Sequence, residues 1–268
     1  MKKVLVLDID GTLTNSQKVI TGNTKTAIIE AMKRGHKVML ASGRPTPGMK
    51  RYAKELELAD HDGYLLSFNG GKIIHCKTGE IIFQKILPPE TVKSLYDFAI
   101  EKQCGLITYI GDDIILATDL DEYIEHENKI NEMKYKSVEN FVEYVSDFDL
   151  NKMLMTAPPE KAAVLVEELQ EKFKDILSIY RSEPFFIEVM PKNVDKAASL
   201  DIMIKSLGLT KDDAICCGDG FNDKSMIEYA GLGVAMENAQ PAVKEVADYI
   251  TKSNDEDGIV HVIDKFVP

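Results

Sequence analysis

The chain opens with Met1-Lys-Lys-Val-Leu-Val-Leu-Asp8-Ile-Asp10-Gly-Thr-Leu13, the stretch that decides its fold. The apolar run from Val4 to Leu7 is typical of a strand buried on both faces. Asp8 follows that strand at its carboxyl end, where open parallel sheets place their ligand crevices. Carboxylates at the end of a buried strand are costly unless a cation or hydrogen-bond donors meet them. The stretch therefore predicts a functional site.

The pattern Asp-x-Asp-Gly also occurs in ordinary turns and in calcium-binding loops. Asp and Gly both favour turns for local reasons, so the motif alone is as compatible with a turn as with catalysis. A helix-loop-helix calcium loop would continue with further oxygen ligands and end in a glutamate. Here the segment Leu13-Thr-Asn-Ser-Gln17 follows and a strand precedes. The choice between turn and site depends on the rest of the chain.

The composition describes a globular protein without a predicted membrane segment. The 268 residues suffice for one large core or two domains, and 44% are hydrophobic and 28% charged. No apolar run approaches the ~20 residues that a membrane helix needs. A signal peptide is not expected, because Asp8 and Asp10 interrupt the short apolar run near the N-terminus. These features predict a cytoplasmic protein.

The charge balance limits the choice of partners. A net charge of −12 and a pI of about 5.0 disfavour nucleic acid and anionic membranes as partners. A small phosphorylated substrate remains compatible if positive groups are concentrated locally. The four cysteines and five histidines lack metal-ligand spacing, so no zinc site is expected. Whether the protein is a monomer or a homodimer stays open.

The order of predicted elements indicates an α/β fold with an insertion. Strand and helix patterns alternate as βαβαβ up to Phe68, which predicts a Rossmann-like parallel sheet with right-handed crossovers, and a predicted hairpin follows. Hairpin patterns with two helices then indicate a separate α+β domain over residues 84–188, in which 122–135 is expected to be helix and surface loop. The parallel rhythm resumes afterwards. We therefore expect a discontinuous core of residues 1–83 and 189–268 that carries an α+β cap domain.

Polar turns follow three strands of the predicted core. Because the carboxyl ends of parallel strands meet at one edge, these turns should lie together. Carboxylate oxygens without histidine suit Mg²⁺. The turns are Asp8-Ile-Asp10-Gly11, Ser42-Gly43-Arg44 and Gly218-Asp219-Gly-Phe-Asn222-Asp223, and they supply the carboxylates of Asp8, Asp10, Asp219 and Asp223.

The same edge offers donors for a phosphate group. The Ser42 hydroxyl and the Gly43 backbone N–H suit a phosphate oxygen, and Lys196 and Asn222 could donate to the same anion. Phosphoryl transfer also needs an in-line nucleophile and a proton donor for the leaving group. Asp8 and Asp10 can fill these two roles through an aspartyl-phosphate intermediate.

Four motifs in this order resemble those of the haloacid dehalogenase (HAD) superfamily, and the chain is similar to a Cof-type phosphatase with a type IIB cap. The resemblance covers the whole chain. One departure is Asp195-Lys196-Ala197, where members often carry Ser-Lys-Gly. The motifs are Asp8-Ile-Asp10-Gly-Thr-Leu13, Ser42-Gly43-Arg44, Lys196 and Gly218-Asp219-Gly-Phe-Asn222-Asp223.

The resemblance implies a role for each motif residue. Asp8 would be the nucleophile and Asp10 the general acid and base. Mg²⁺ would be held by the Asp8 side chain, the Asp10 carbonyl and Asp219, with Asp223 acting through water. Phosphate would meet the backbone N–H of Ile9 and the groups of Ser42, Gly43, Lys196 and Asn222.

The expected function is a Mg²⁺-dependent phosphatase that hydrolyses small phosphorylated metabolites, for example sugar phosphates. A phosphomutase or phosphotransferase would use the same intermediate, and a non-catalytic binder of phosphorylated metabolites is a further alternative. Retention of both Asp8 and Asp10 argues against the binder. Candidate substrate contacts are Arg44 in the core and Tyr109, Arg181, Glu183 and Glu188 in the cap.

Overall fold

The computed structural model describes residues 2–267, which divide into two compact units. The first unit combines the residues up to Phe83 with those from Asp195 onward, and the second runs from Gln84 to Val194. The second unit extends past residue 188, where the sequence pattern placed the boundary, because the strand Phe186–Pro191 pairs within its sheet. Between residues 2 and 267, no helix has both the length and the apolar character that crossing a membrane requires.

The first unit is built on an eight-stranded sheet in the order β14-β13-β12-β1-β2-β3-β4-β5. The strands from β14 to β3 pair in parallel, and β4 pairs antiparallel with β3. This arrangement confirms the predicted α/β fold class. The strands are β1 (Val4–Leu7), β2 (Lys37–Ala41), β3 (Tyr64–Ser67), β4 (Lys72–His75), β5 (Ile81–Gln84), β12 (Ala214–Gly218), β13 (Leu232–Ala235) and β14 (Tyr249–Ile250).

The helices of the first unit include the predicted crossover after β1. Thr21 caps that helix, since its side chain accepts from the Thr24 backbone N–H as the sequence predicted. The helices are α1 (Gly22–Lys33), α2 (Thr46–Glu55), α7 (Lys196–Ser206), α8 (Lys224–Tyr229), α9 (Pro241–Lys244) and α10 (Gly258–Phe266). Short 3-10 turns occur at Phe68–Gly70, Lys211–Asp213, Phe221–Asp223 and Asn254–Glu256.

Strand β1 is the centre of the core of the first unit. Its four residues from Val4 to Leu7 are fully buried, and burying each such side chain contributes about 1.5–3 kcal/mol. β1 lies between β12 and β2, with Leu7 opposite Cys217 on one side and Leu40 on the other. The three strands therefore end side by side, and the polar turns that follow them share one edge of the sheet.

The second unit has a six-stranded sheet in the order β10-β11-β9-β6-β7-β8. Most of its neighbours are antiparallel, while β8 pairs in parallel with β7. The strands are β6 (Gly105–Ile110), β7 (Asp113–Leu116), β8 (Lys134–Ser137), β9 (Met153–Thr156), β10 (Leu177–Glu183) and β11 (Phe186–Pro191). The helices are α3 (Pro89–Lys102), α4 (Glu122–Asn131), α5 (Phe141–Val145) and α6 (Pro159–Phe173).

One element of the second unit differs from the sequence-based prediction. The segment 122–135 was expected to be helix and surface loop, but the strand Lys134–Ser137 begins before it ends. All four residues of this strand are exposed, so they show no apolar alternation. The strand forms because β7 offers it a parallel hydrogen-bonding partner.

Candidate active site

A buried lysine connects two of the predicted site carboxylates. Lys196 is the first residue of α7 and is 1% exposed. Its Nζ donates to Asp8 Oδ1 at 2.7 Å, to Asp223 Oδ1 at 2.5 Å and to the Ala41 carbonyl at 2.9 Å. Burial opposes the charge of this lysine, but Asp223 and Asp8 outweigh it and raise the pKa of Lys196. Lys196 therefore stays an ammonium with all three of its protons donated.

The acid beside this lysine has a structural explanation. Asp195 is exposed and is the N-cap of α7, where its carboxylate accepts from the Ala198 backbone N–H at 2.9 Å. Ser and Asp are both favoured at this position. The departure from Ser-Lys-Gly therefore keeps the cap that holds Lys196 at the start of the helix.

Three carboxylates gather around Lys196. Oxygen atoms of Asp8, Asp219 and Asp223 lie within 4.8 Å of one another. Burial and the nearby Asp223 raise the pKa of Asp8, although Lys196 opposes the shift. Burial also raises the pKa of Asp219 to about 6, against a hydrogen bond that it accepts from Thr12. One lysine does not neutralise three acids, and a hard dication would remove the deficit, so this donor set fits Mg²⁺.

Asp223 differs from the other two acids because both of its oxygens are engaged. Oδ1 accepts from Lys196, and Oδ2 accepts from the backbone N–H groups of Asp219 at 3.0 Å and Gly220 at 2.9 Å. The residue is 1% exposed. Its carboxylate therefore fixes the turn that presents Asp219 to the cluster.

The turn after β1 is held close to that cluster. The Ile9 side chain is fully buried, and its carbonyl accepts from the backbone N–H of Thr14 at 3.0 Å. Gly11 has φ +85°, and a Cβ at this position would lie 2.4 Å from Asp219 Oδ2. Only glycine tolerates both the left-handed backbone and this approach.

The Asp10 side chain is paired with cations. Its Oδ2 accepts from Arg44 Nε at 2.7 Å, and its Oδ1 accepts from Arg44 Nη2 at 2.9 Å and from Lys18 Nζ at 3.2 Å. Burial raises the pKa of Asp10, but Arg44 and then Lys18 bring it below its usual value. Arg44, predicted as a substrate contact, thus binds a site carboxylate. Lys18 carries no motif, and the sequence analysis missed it.

Three of the five predicted phosphate donors, Ser42, Gly43 and Asn222, lie around Asn69. Ser42 is buried, and its backbone carbonyl accepts from the Asn69 N–H at 3.0 Å. A Cβ on Gly43 would lie 3.1 Å from the Asn69 side chain. The exposed Asn222 donates from Nδ2 to Asn69 Oδ1 at 3.1 Å. Asn69 belongs to none of the four motifs, yet it connects two of them.

Two of the four candidate substrate contacts in the second unit are paired with other side chains of that unit. The Tyr109 hydroxyl is buried and donates to Glu127 Oε1 at 2.6 Å. Glu188 is also buried, and its Oε2 lies 2.9 Å from Lys152 Nζ. Both side chains are therefore paired within the second unit. Arg181 and Glu183 are exposed, and their contact with substrate stays a prediction.

Comparisons with known proteins agree with this fold. The family model described as haloacid dehalogenase-like hydrolase matches residues 5–263. The 5-amino-6-(5-phospho-D-ribitylamino)uracil phosphatase YcsE of Bacillus subtilis is 31% identical over 271 residues, which cover 99% of this chain and 96% of YcsE.

Solved structures show the same likeness. A haloacid dehalogenase-like hydrolase from Bacteroides thetaiotaomicron superposes with a TM-score of 0.95 at 39% identity, over 99% of each chain. The HAD subclass IIB sugar phosphatase BT4131 has a TM-score of 0.79 at 28% identity, also over 99% of each chain.

The chain belongs to the haloacid dehalogenase-like hydrolases, as its four motifs predicted. Within that family it is an enzyme of the phosphatase type.

Proposed function

We propose that this protein is a Mg²⁺-dependent phosphatase that hydrolyses small phosphomonoesters through an aspartyl-phosphate on Asp8. The observation that carries the proposal is the position of Asp8, buried at the end of the central strand with Lys196 at 2.7 Å. The ammonium keeps a carboxylate oxygen oriented in a buried site. A carboxylate held in this way is suited to attack phosphorus.

The chain's own residues account for the remaining steps. Lys196, Ser42, the Gly43 and Ile9 N–H groups and Asn222 would bind the phosphoryl oxygens and orient the ester for in-line attack. Asp10 gives a proton to the leaving oxygen and later takes one from the attacking water. The structure holds Asp10 ionised against Arg44. Before it can act as the acid, Asp10 must therefore leave Arg44 and take up a proton from solvent.

The metal has a defined place in this proposal. The Asp8 and Asp219 carboxylates and the Asp10 carbonyl would hold Mg²⁺, with Asp223 acting through water. When bound, Mg²⁺ supplies positive charge that offsets the charge of the phosphoryl group. The raised pKa of Asp219 supports this role, because it reflects the burial of the carboxyl group and, after that, the negative charge of Asp223.

The two compact units would have different roles in catalysis. The first unit, with all the motif residues, is the catalytic core, and the second is the cap that selects the leaving group. The names of two similar proteins support small phosphorylated metabolites as substrates, since one is a sugar phosphatase and the other acts on a phosphoribityl compound. A cytoplasmic location is part of the same proposal.

The proposal is tested by following inorganic phosphate release from a panel of phosphate esters, with Mg²⁺ and with EDTA. We expect release that requires the metal and that stops on EDTA addition. Adding an alcohol acceptor separates hydrolysis from transfer, because a phosphotransferase would form a new ester in place of phosphate. Absence of metal-dependent release from every ester would contradict the proposal.

A further inference from the structure

Lys18 occupies a tightly fixed loop beside the site. The Lys18 backbone N–H donates to the Asn15 carbonyl at 2.9 Å, and Asn15 Oδ1 accepts from the N–H groups of Gln17 and Val19. Ser16 anchors the loop further through two hydrogen bonds to Asp255 Oδ1. These contacts set the backbone of the loop without any contribution from the Lys18 side chain.

The loop holds Lys18 in a conformation that favours glycine. Its φ is 62°, in the left-handed region that residues with a Cβ avoid. Outliers of this kind persist where the surroundings impose them, and they cluster at functional sites. The positive φ of Lys18 therefore favours a functional role for its ammonium group.

The ammonium lies beside the proposed general acid and faces water. Lys18 Nζ is 3.2 Å from Asp10 Oδ1, and the Lys18 side chain is 60% exposed. The other cations that pair with site carboxylates are buried, with side-chain exposures of 8% for Arg44 and 0% for Lys196. An ion pair as exposed as Lys18–Asp10 contributes little to stability, so stability does not account for this lysine.

We propose that Lys18 binds a second anionic group on the substrate, so that the preferred substrates are phosphomonoesters whose leaving group carries a carboxylate or another phosphate. The inference rests on the proposed function, in which Asp10 contacts the leaving oxygen. A cation next to Asp10 then lies on the leaving-group side of the phosphorus. The chain's net charge of −12 repels such substrates, and a local ammonium offsets that repulsion.

The test measures binding separately from turnover. Dissociation constants are measured by calorimetry with Mg²⁺ in an Asp8→Asn background, which should bind esters without cleaving them. One ester pair is 3-phosphoglycerate and sn-glycerol 3-phosphate, which differ by a carboxylate. The other is fructose 1,6-bisphosphate and fructose 1-phosphate, which differ by a phosphate.

The variants are Lys18→Gln, Lys18→Arg and the matched control Lys205→Gln. Lys205 is 70% exposed and pairs with Asp201 at 2.6 Å in the same unit, so its replacement removes an equivalent surface ion pair. We expect the more anionic ester of at least one pair to bind about fivefold tighter, as one exposed charge contact allows. Lys18→Gln should remove this preference, Lys18→Arg should restore it, and Lys205→Gln should leave it intact. Added salt should weaken it.

Three results would overturn the inference: equal binding within both pairs, a preference retained in Lys18→Gln, or an equal loss in Lys205→Gln. A preference confined to one pair supports the inference and identifies the anion as carboxylate or phosphate. Turnover by the unmodified enzyme is measured in parallel. Lys18-dependent binding without phosphate release would contradict the phosphatase proposal while leaving the anion-binding role of Lys18 supported.

Discussion

The Lys196 ammonium lies 2.7 Å from Asp8 Oδ1, although 188 residues separate the two in the chain. The carboxylate follows strand β1, and the ammonium belongs to the first residue of helix α7. The same ammonium also contacts Asp223, so the charges of two buried acids depend on one lysine. The group that balances the buried charge is thus also the one that would orient the proposed nucleophile.

Replacing this lysine should therefore damage stability as well as activity. Lys196→Met leaves Asp8 and Asp223 buried without their cation, and we expect a loss of about 3–5 kcal/mol in the free energy of unfolding. Urea denaturation measures it. Adding Asp223→Asn to this variant removes one of the two uncompensated buried charges. The double variant should therefore recover part of the lost free energy of unfolding. A loss from Lys196→Met no larger than that from Lys205→Met would contradict the prediction.

Asp8→Asn should abolish activity without destabilising the fold. Burial makes the ionised form of Asp8 costly, as its raised pKa shows, so a neutral side chain of the same shape should leave the thermal midpoint unchanged or higher. Phosphate release should disappear, since the amide cannot serve as the nucleophile. Asp60→Asn, at an exposed position, is the control and should retain activity. Turnover by Asp8→Asn would rule out the assigned nucleophile.

Gly11→Ala should weaken metal binding. The new Cβ would meet Asp219 Oδ2 at 2.4 Å, on a backbone with φ +85°, so Asp219 must move away from the cluster. We expect the Mg²⁺ concentration for half-maximal activity to rise at least about tenfold, as for other displaced metal ligands or their supports. Gly22→Ala is the matched control, because a Cβ there meets nothing within 4 Å. Equal Mg²⁺ requirements in the two variants would contradict this role of Gly11.

Mg²⁺ should stabilise the protein more at neutral than at acidic pH. The raised pKa means that Asp219 keeps its proton up to about pH 6 in the folded state, against 3.8 as the ordinary value. Without metal, the contribution of Asp219 to stability therefore falls as the pH rises through this window, because this group binds more protons in the folded state there. Mg²⁺ competes with that proton, so the rise in thermal midpoint on adding MgCl₂ should be larger at about pH 7.5 than at about pH 5. Asp219→Asn should reduce this difference, and equal shifts at both pH values in the unmodified protein would be inconsistent with it.

The cysteines should be unreactive in the folded enzyme. Burial raises the pKa of Cys76 to about 12, of Cys104 to about 11 and of Cys217 to about 12, and it raises the pKa of Cys216 as well. The reactive thiolate is therefore scarce near neutral pH. A disulfide reagent such as DTNB should modify all four thiols in guanidinium and react slowly without it. Rapid reaction of DTNB with the folded protein would contradict the prediction, because it would show that the thiols are exposed to solvent.

Local pattern was sufficient to predict most of the fold. The apolar run of β1, the cap at Thr21 and the alternation of strands and helices are properties of short segments, and each predicts its element without reference to the rest of the chain. Strand β8 was missed for the opposite reason. Its residues Lys134–Ser137 are exposed, and pairing with β7 is what makes them a strand.

The sequence by itself determined which residue types stand at the strand ends, and therefore the family and the candidate residues. The tertiary structure decided their partners. It placed Arg44 against Asp10, Lys18 beside the same carboxylate and Asn69 between Ser42 and Asn222. The physical reason is that strand and helix signals act over a few residues, whereas an ion pair forms only when folding brings two side chains within a few ångströms.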